Sequence, residues 1–146
     1  MGRTHSSAGA ALALLALPAL QHYGMVTTPA GVVAYTVAGA GAAMLPDFDH
    51  RHATIARSLG PISKGMAVVI EKLSGGHRNG THSILGVAFF TLLAVAFNHA
   101  QALFGLFLPH SQAVLAGQIA LGAWLAFLFA VATFALRVTE VRSIIV

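Results

Sequence analysis

Two short stretches of this sequence gather most of its capacity for chemistry. In Leu45-Pro46-Asp47-Phe48-Asp49-His50, two carboxylates and an imidazole follow closely on one another. In His77-Arg78-Asn79-Gly80-Thr81-His82, an Asn-Gly dipeptide favours a turn that can bring two imidazoles together. His5 adds a further imidazole near the N-terminus. If the first stretch is extended, Asp47 and Asp49 share a side; if it turns helical after Pro46, Asp47 and His50 share one. Either arrangement offers a single cation a carboxylate pair or an Asp/His pair. The chain has no cysteine, so a transition-metal site must be built from His and carboxylate, a donor set that suits zinc or a similar divalent ion. The candidate metal ligands are therefore His5, Asp47, Asp49, His50, His77 and His82.

The chemistry expected of such a site is hydrolysis by metal-activated water. A divalent ion with an open coordination position lowers the pKa of bound water from 15.7 to about 7. Asp49 or Asp47, left outside the ligand set, would orient that water as base. Arg78 and the start of the following helix, for which Thr81 is the expected N-cap, would stabilise a developing anion. Each motif has a blander reading. Boundary carboxylates can simply be solvated, Thr81-His82 can be a cap and an interfacial side chain, and Arg78 can anchor headgroups. Taken together the motifs carry more weight, because close carboxylates repel and a divalent cation or a His partner relieves that repulsion. His22, His99 and His110 are expected at the opposite boundary as interfacial side chains, and His52 as a solvated one.

Apolar helices must position these residues. With 57% hydrophobic and 8% charged residues among 146 and a mean hydropathy of +0.79, the chain reads as an integral membrane protein. Apolar stretches run from about 6 to 22, 26 to 44, 83 to 98 and 112 to 136, the second ended by Pro46. No charged residue lies between Gly80 and Leu136, a run too long for one crossing of a core about 30 Å thick, and two spans fit. The expected fold class is all-α: a helical membrane bundle of about four transmembrane helices, forming a single domain. A polar connection, 47–82, carries the motifs.

All eight Lys and Arg residues fall on one predicted side. Arg3 precedes the first span, Arg51, Arg57, Lys64, Lys72 and Arg78 lie in the connection, and Arg137 and Arg142 follow the last span. The positive-inside rule then places both termini and the connection in the cytoplasm, whereas a three-helix chain would put Arg137 and Arg142 on the wrong side. The net charge of +4 and pI near 10.4 are better matched to membrane lipids than to nucleic acid, because basic residues scattered singly form no phosphate-binding stripe. A signal peptide is the competing reading of the N-terminus, where Arg3 precedes an apolar run to Leu20. Leu14 or Leu17 would occupy the −3 position for cleavage after Ala16 or Ala19, which argues against it.

Within the connection, Leu59, Ile62, Met66, Val69, Ile70 and Leu73 recur at spacings of three and four between Pro61 and Ser74-Gly75-Gly76. This predicts one amphipathic interfacial helix, lying along the headgroups by virtue of Lys64 and Lys72 or packing its apolar face on the bundle. Small residues from Ala38 to Ala43 allow close helix contact.

The two motifs, their order and their separation resemble the YdjM-like membrane-bound metal-dependent hydrolases, also described as LexA-binding, inner-membrane-associated hydrolases. The resemblance spans roughly Arg3 to Leu85 and rests on Leu45 to His50, on Gly76-His77-Arg78-Asn79-Gly80-Thr81-His82-Ser83, and on His5 near the start of a first apolar helix. It implies a bacterial-type inner-membrane protein with a divalent-metal hydrolase site whose substrate is unassigned. Residue by residue it supports His5, Asp47, Asp49, His50, His77 and His82 as metal or catalytic residues. Family members usually carry a later His-x-x-x-Asp-x-x-Thr pattern, which nothing after Gln112 supplies. This leaves the site incomplete or completed by another chain, so a protein partner or second copy joins membrane lipids and a small or lipid-linked substrate among the expected partners. A non-catalytic membrane scaffold or metal-binding module is the alternative, and a transporter is disfavoured because the apolar helices lack central carboxylates.

Overall fold

A computed structural model describes residues 2–73 and 81–144. Among them the chain is helical throughout, without a strand. Helix α1, Gly2–His22, and α2, Pro29–Ala42, form a hairpin whose turn is closed by Gly24 at φ 69°. Glycine suits that left-handed turn because it has no Cβ to clash. Thr28 caps α2, its hydroxyl oxygen accepting from the Gly31 N–H at 3.1 Å, and Pro29 occupies the first turn, where an N–H would be orphaned in any case.

Helix α2 stops at Ala42, earlier than expected, and Pro46 does not merely end it. Pro46 opens a 3-10 turn, Leu45–Asp49, because its fixed φ suits the first helical positions. Two short helices follow, α3, Thr54–Arg57, and α4, Pro61–Leu73, the second being the expected amphipathic one. Next come α5, Ile84–Asn98, α6, Ala100–Phe104, and α7, His110–Ile144. The expected N-cap of α5 is corrected: Ser83, not Thr81, accepts the Gly86 N–H, at 3.2 Å.

Two segments, Pro29–Asp49 and His110–Ala135, are long and apolar enough to cross a membrane, and Ile84–Asn98 is a shorter apolar helix. Helix α1 has the length, but His5, Ser6, Ser7, Gln21 and His22 at its ends dilute its apolarity. At 35 residues, α7 spans about 50 Å and outruns a hydrocarbon core of about 30 Å.

The helices meet through small residues. Gly9 of α1 lies against Gly39 and Ala43 of α2, Gly39 lies against Ala13, and Gly41 faces the Leu128 carbonyl of α7. Close approach of backbones is how helices gain contact where the surrounding medium is as apolar as their side chains. The buried core sits at one end of the bundle, where Met44, Leu45, Phe48, Ile55, Leu128 and Val131 pack beneath the 3-10 turn. Elsewhere large apolar side chains such as Leu15, Ile84, Leu92 and Ile119 stay exposed, as lipid-facing side chains do.

Arg51 and Glu71 fasten the connection to α4, with Nε to Oε2 at 3.1 Å and Nη2 to Oε1 at 3.2 Å. The guanidinium, by hydrogen bond first and by charge as well, holds the Glu71 carboxyl below its usual range. A depressed carboxylate pKa contributes stability above the ordinary carboxylate range, which is lost as pH falls through the lowered value. Arg51→Ala should therefore lower the melting temperature slightly at neutral pH, with parent and variant converging in acid. Because the pair is exposed, the effect is small.

Candidate metal centre

The 3-10 turn places both aspartates under the bundle. Asp49 is completely buried and Asp47 nearly so, at 0% and 6% exposure. Two buried carboxylates on one short turn are costly unless cations or hydrogen bonds answer them. Helix α1 provides one partner. Gly2 packs against Thr54 and Met44, a position where a Cβ would collide, and Ser6 and Gly9 turn inward. This seats the first turn of α1 beside the 3-10 turn, with His5 Nε2 3.6 Å from Asp47 Oδ1.

The segment leading into α5 provides the other partners. His82 Nε2 lies 3.3 Å from Asp47 Oδ1, and its Nδ1 lies 3.9 Å from Asp49 Oδ2. One imidazole thus spans both carboxylates. Thr81 donates its hydroxyl to Asp49 Oδ2 at 2.5 Å, and its oxygen stands 3.3 Å from His82 Nδ1. With the Thr81 proton committed to Asp49, the oxygen lone pairs face His82, which favours the tautomer protonated at Nδ1. The Nε2 lone pair then faces Asp47 Oδ1, and two acceptors face each other at 3.3 Å. A proton or a metal cation between them removes the repulsion.

One donor atom each from His5, Asp47 and His82 lies within 4.8 Å of the others. A tetrahedral ion with bonds of roughly 2.0–2.2 Å holds its donors about 3.3–3.6 Å apart. The His82–Asp47 pair already has that spacing, and rotation of His5, whose side chain is 40% exposed, closes the rest. Two imidazoles and a carboxylate form a donor set that could hold a metal ion. Asp49 stands behind it, buried against Thr81 and near the far nitrogen of His82, where a carboxylate orients a metal-ligating imidazole.

The remaining candidates are placed differently. The His50 ring stands edge-on to His52 at a centroid distance of 5.7 Å, and its Nδ1 accepts the His52 N–H at 3.1 Å. The stretch takes the helical alternative, as a 3-10 turn, and both of its aspartates approach a third residue, His82. His77 and Arg78 lie outside the described residues. Thr81, expected as a cap, instead holds Asp49. Of the other histidines, His22 stacks edge-on against Tyr23, while His99 and His110 line a polar recess with Asn98 and Gln101.

A family model described as YdjM inner membrane protein matches residues 1–139. No curated protein and no solved structure matches the chain.

Proposed function

Because the chain belongs to the YdjM inner membrane protein family, we propose that it is a membrane-bound metal-dependent hydrolase whose centre is held by His5, Asp47 and His82 at the cytoplasmic boundary. The observation that carries this reading is the convergence of His5 and His82 on Asp47 Oδ1. A divalent ion there, zinc by its donor set, would supply Lewis acidity and lower the pKa of water. Asp49 and Thr81 would keep His82 in the tautomer that presents Nε2, and the second oxygen of the Asp47 carboxylate would take the proton from the nucleophile. The positive end of α5, directly after His82, favours an anion at the same place.

A lipid-linked substrate is supported by an apolar groove of about 330 Å³ whose lining includes Pro46, the residue before Asp47. Its lining includes Ala42, Pro46, Val87, Phe90, Ala94 and Trp124. Pro46 precedes Asp47 in the chain, and Val87 and Phe90 lie on α5, the helix that follows His82. An amphiphile seated there would place its hydrocarbon in the groove and its polar bond at the metal ligands. Phosphoester and carboxylic-ester analogues with long chains are the substrates to assay, with zinc supplied. Asp47→Asn, close in size to the parent, should leave the fold intact and reduce turnover by at least about 100-fold, as loss of a catalytic group does. Zinc bound to the parent with no hydrolysis of any such analogue would favour a metal-binding scaffold.

The same reading assigns about four crossings with both termini cytoplasmic, on the distribution of Lys and Arg. In a parent without cysteine, a thiol reagent applied from outside the cell should label Gly24→Cys and miss Arg57→Cys. The reverse pattern overturns the orientation.

A further inference from the structure

Helix α4 has two apolar faces, and the protein covers only one of them. Ser63 and Ala67 are fully buried and Ile70 packs on the core, so this stripe, spaced by four and three residues, faces the 3-10 turn and α3. A second stripe with the same spacing, Ile62, Met66 and Val69, is 68%, 47% and 55% exposed. On a helical projection at 100° per residue, Lys64 falls opposite that second stripe and Lys72 falls on its flank. Both lysines are exposed, as is Arg57 one turn before the helix. The only acid on α4, Glu71, is engaged by Arg51.

We infer that α4 is a membrane-surface helix that docks on anionic lipid, with Ile62, Met66 and Val69 inserted among the acyl chains, Lys72 reaching the headgroups from the flank and Lys64 on the water-facing side. Charge selects this occupant. Lys72 on the flank of the stripe, Arg57 one turn before the helix and Lys64 on its far side have no matching carboxylate among the described residues, so the complement is an anionic surface. The Lys72 stem can lie along the apolar flank while its ammonium group stays in water, as an in-plane helix requires. A protein partner for the same stripe would have to be acidic around an apolar centre, and nothing in this chain offers that to a second copy: beyond Asp47, Asp49 and Glu71, its one remaining acid is Glu140.

The consequence reaches the metal centre. The inner stripe of α4 packs on the turn that carries Asp47 and Asp49, and Arg51–Glu71 ties the two together. Docking of α4 therefore sets the height of the carboxylates relative to the bilayer. This inference does not depend on the hydrolase reading, since it needs neither metal nor turnover.

The test uses the full-length, cysteine-free protein in nanodiscs, with a nitroxide attached at Met66→Cys, Val69→Cys or Lys64→Cys. Relaxation by oxygen, which concentrates in hydrocarbon, and by a water-soluble nickel chelate reports depth. In phosphatidylcholine discs containing phosphatidylglycerol, the labels at 66 and 69 should lie about 5–10 Å below the headgroup boundary and the label at 64 above it. Lys72→Gln should weaken the inserted state about fivefold against the surface state, and Lys64→Gln, farther from the headgroups, by less. Nickel relaxing all three labels alike would leave α4 in water and overturn the inference. Labels at 66 and 69 shielded from both reagents would overturn it as well, because a protein would then cover the stripe. Exposure of all three side chains makes the labels tolerable, and agreement between positions 66 and 69 guards against a local distortion at either one.

Discussion

His82→Ala protein should leave purification without the divalent ion that the parent retains, and its apparent affinity for zinc should fall by more than about 100-fold. Loss of a partner behind a metal ligand typically costs 10–100-fold, and His82 is both ligand and the link between two carboxylates. Removing it leaves Asp47 with His5 alone among the described donors and leaves two buried carboxylates without the imidazole between them. Thr81→Ala should cost less, about 10–100-fold, because it frees the Nδ1 side of His82 without removing a donor atom. Thr81→Ser should restore most of that loss, since the hydroxyl that holds Asp49 returns. Titration against a chromophoric chelator measures all three. Undiminished zinc in His82→Ala would sink the centre as described, and an equal loss in Thr81→Ala and Thr81→Ser would sink the tautomer argument.

Gly41→Ala should lower stability in detergent by about 1–3 kcal/mol, the usual range for forcing an added group into a filled site. A Cβ at Gly41 would meet the backbone of Leu128, including its carbonyl oxygen, and backbone cannot swing aside as a side-chain tip can. The helices must separate instead. Because α2 runs directly into the 3-10 turn, that separation also moves Asp47 away from His5 and His82, so zinc affinity should fall with the melting temperature. Gly122→Ala is the control: a Cβ there meets nothing within 4 Å, and the better helix propensity of alanine should leave stability unchanged or raised. A Gly41→Ala protein as stable as Gly122→Ala would show that α2 and α7 are not packed this closely.

Much of the local architecture was legible in the residues. The spacing of Leu59, Ile62, Met66, Val69 and Ile70 announced α4, with Pro61 at its start, and Pro109 separates α6 from α7. The periodicity did not say that α4 would bury Ser63, Ala67 and Ile70 and leave Ile62, Met66 and Val69 outside. Hydrophobic patterning reports which side avoids water, and in a membrane protein lipid and core answer that requirement equally. Length and apolarity together mark two of the expected spans clearly, and the other two each fall short in one of these respects. Helix α1 is long enough to cross but is flanked by polar residues, and α5 is apolar but short.

By itself the sequence determined an all-helical chain, its apolar stretches, the confinement of Lys and Arg to the N-terminus, the 47–82 connection and the C-terminal tail, and the residue types from which a metal centre could be made. These follow from composition and from periodicities that act within a few residues. Only the tertiary structure decided which imidazoles answer which carboxylates. His5, Asp47 and His82 are far apart in the chain, and their meeting depends on glycine contacts that dock α1 on α2, on the 3-10 winding after Pro46, and on Thr81 turning toward Asp49 instead of capping α5. Each of those is a packing outcome, set by how closely two backbones can approach, and no spacing within a single motif encodes it.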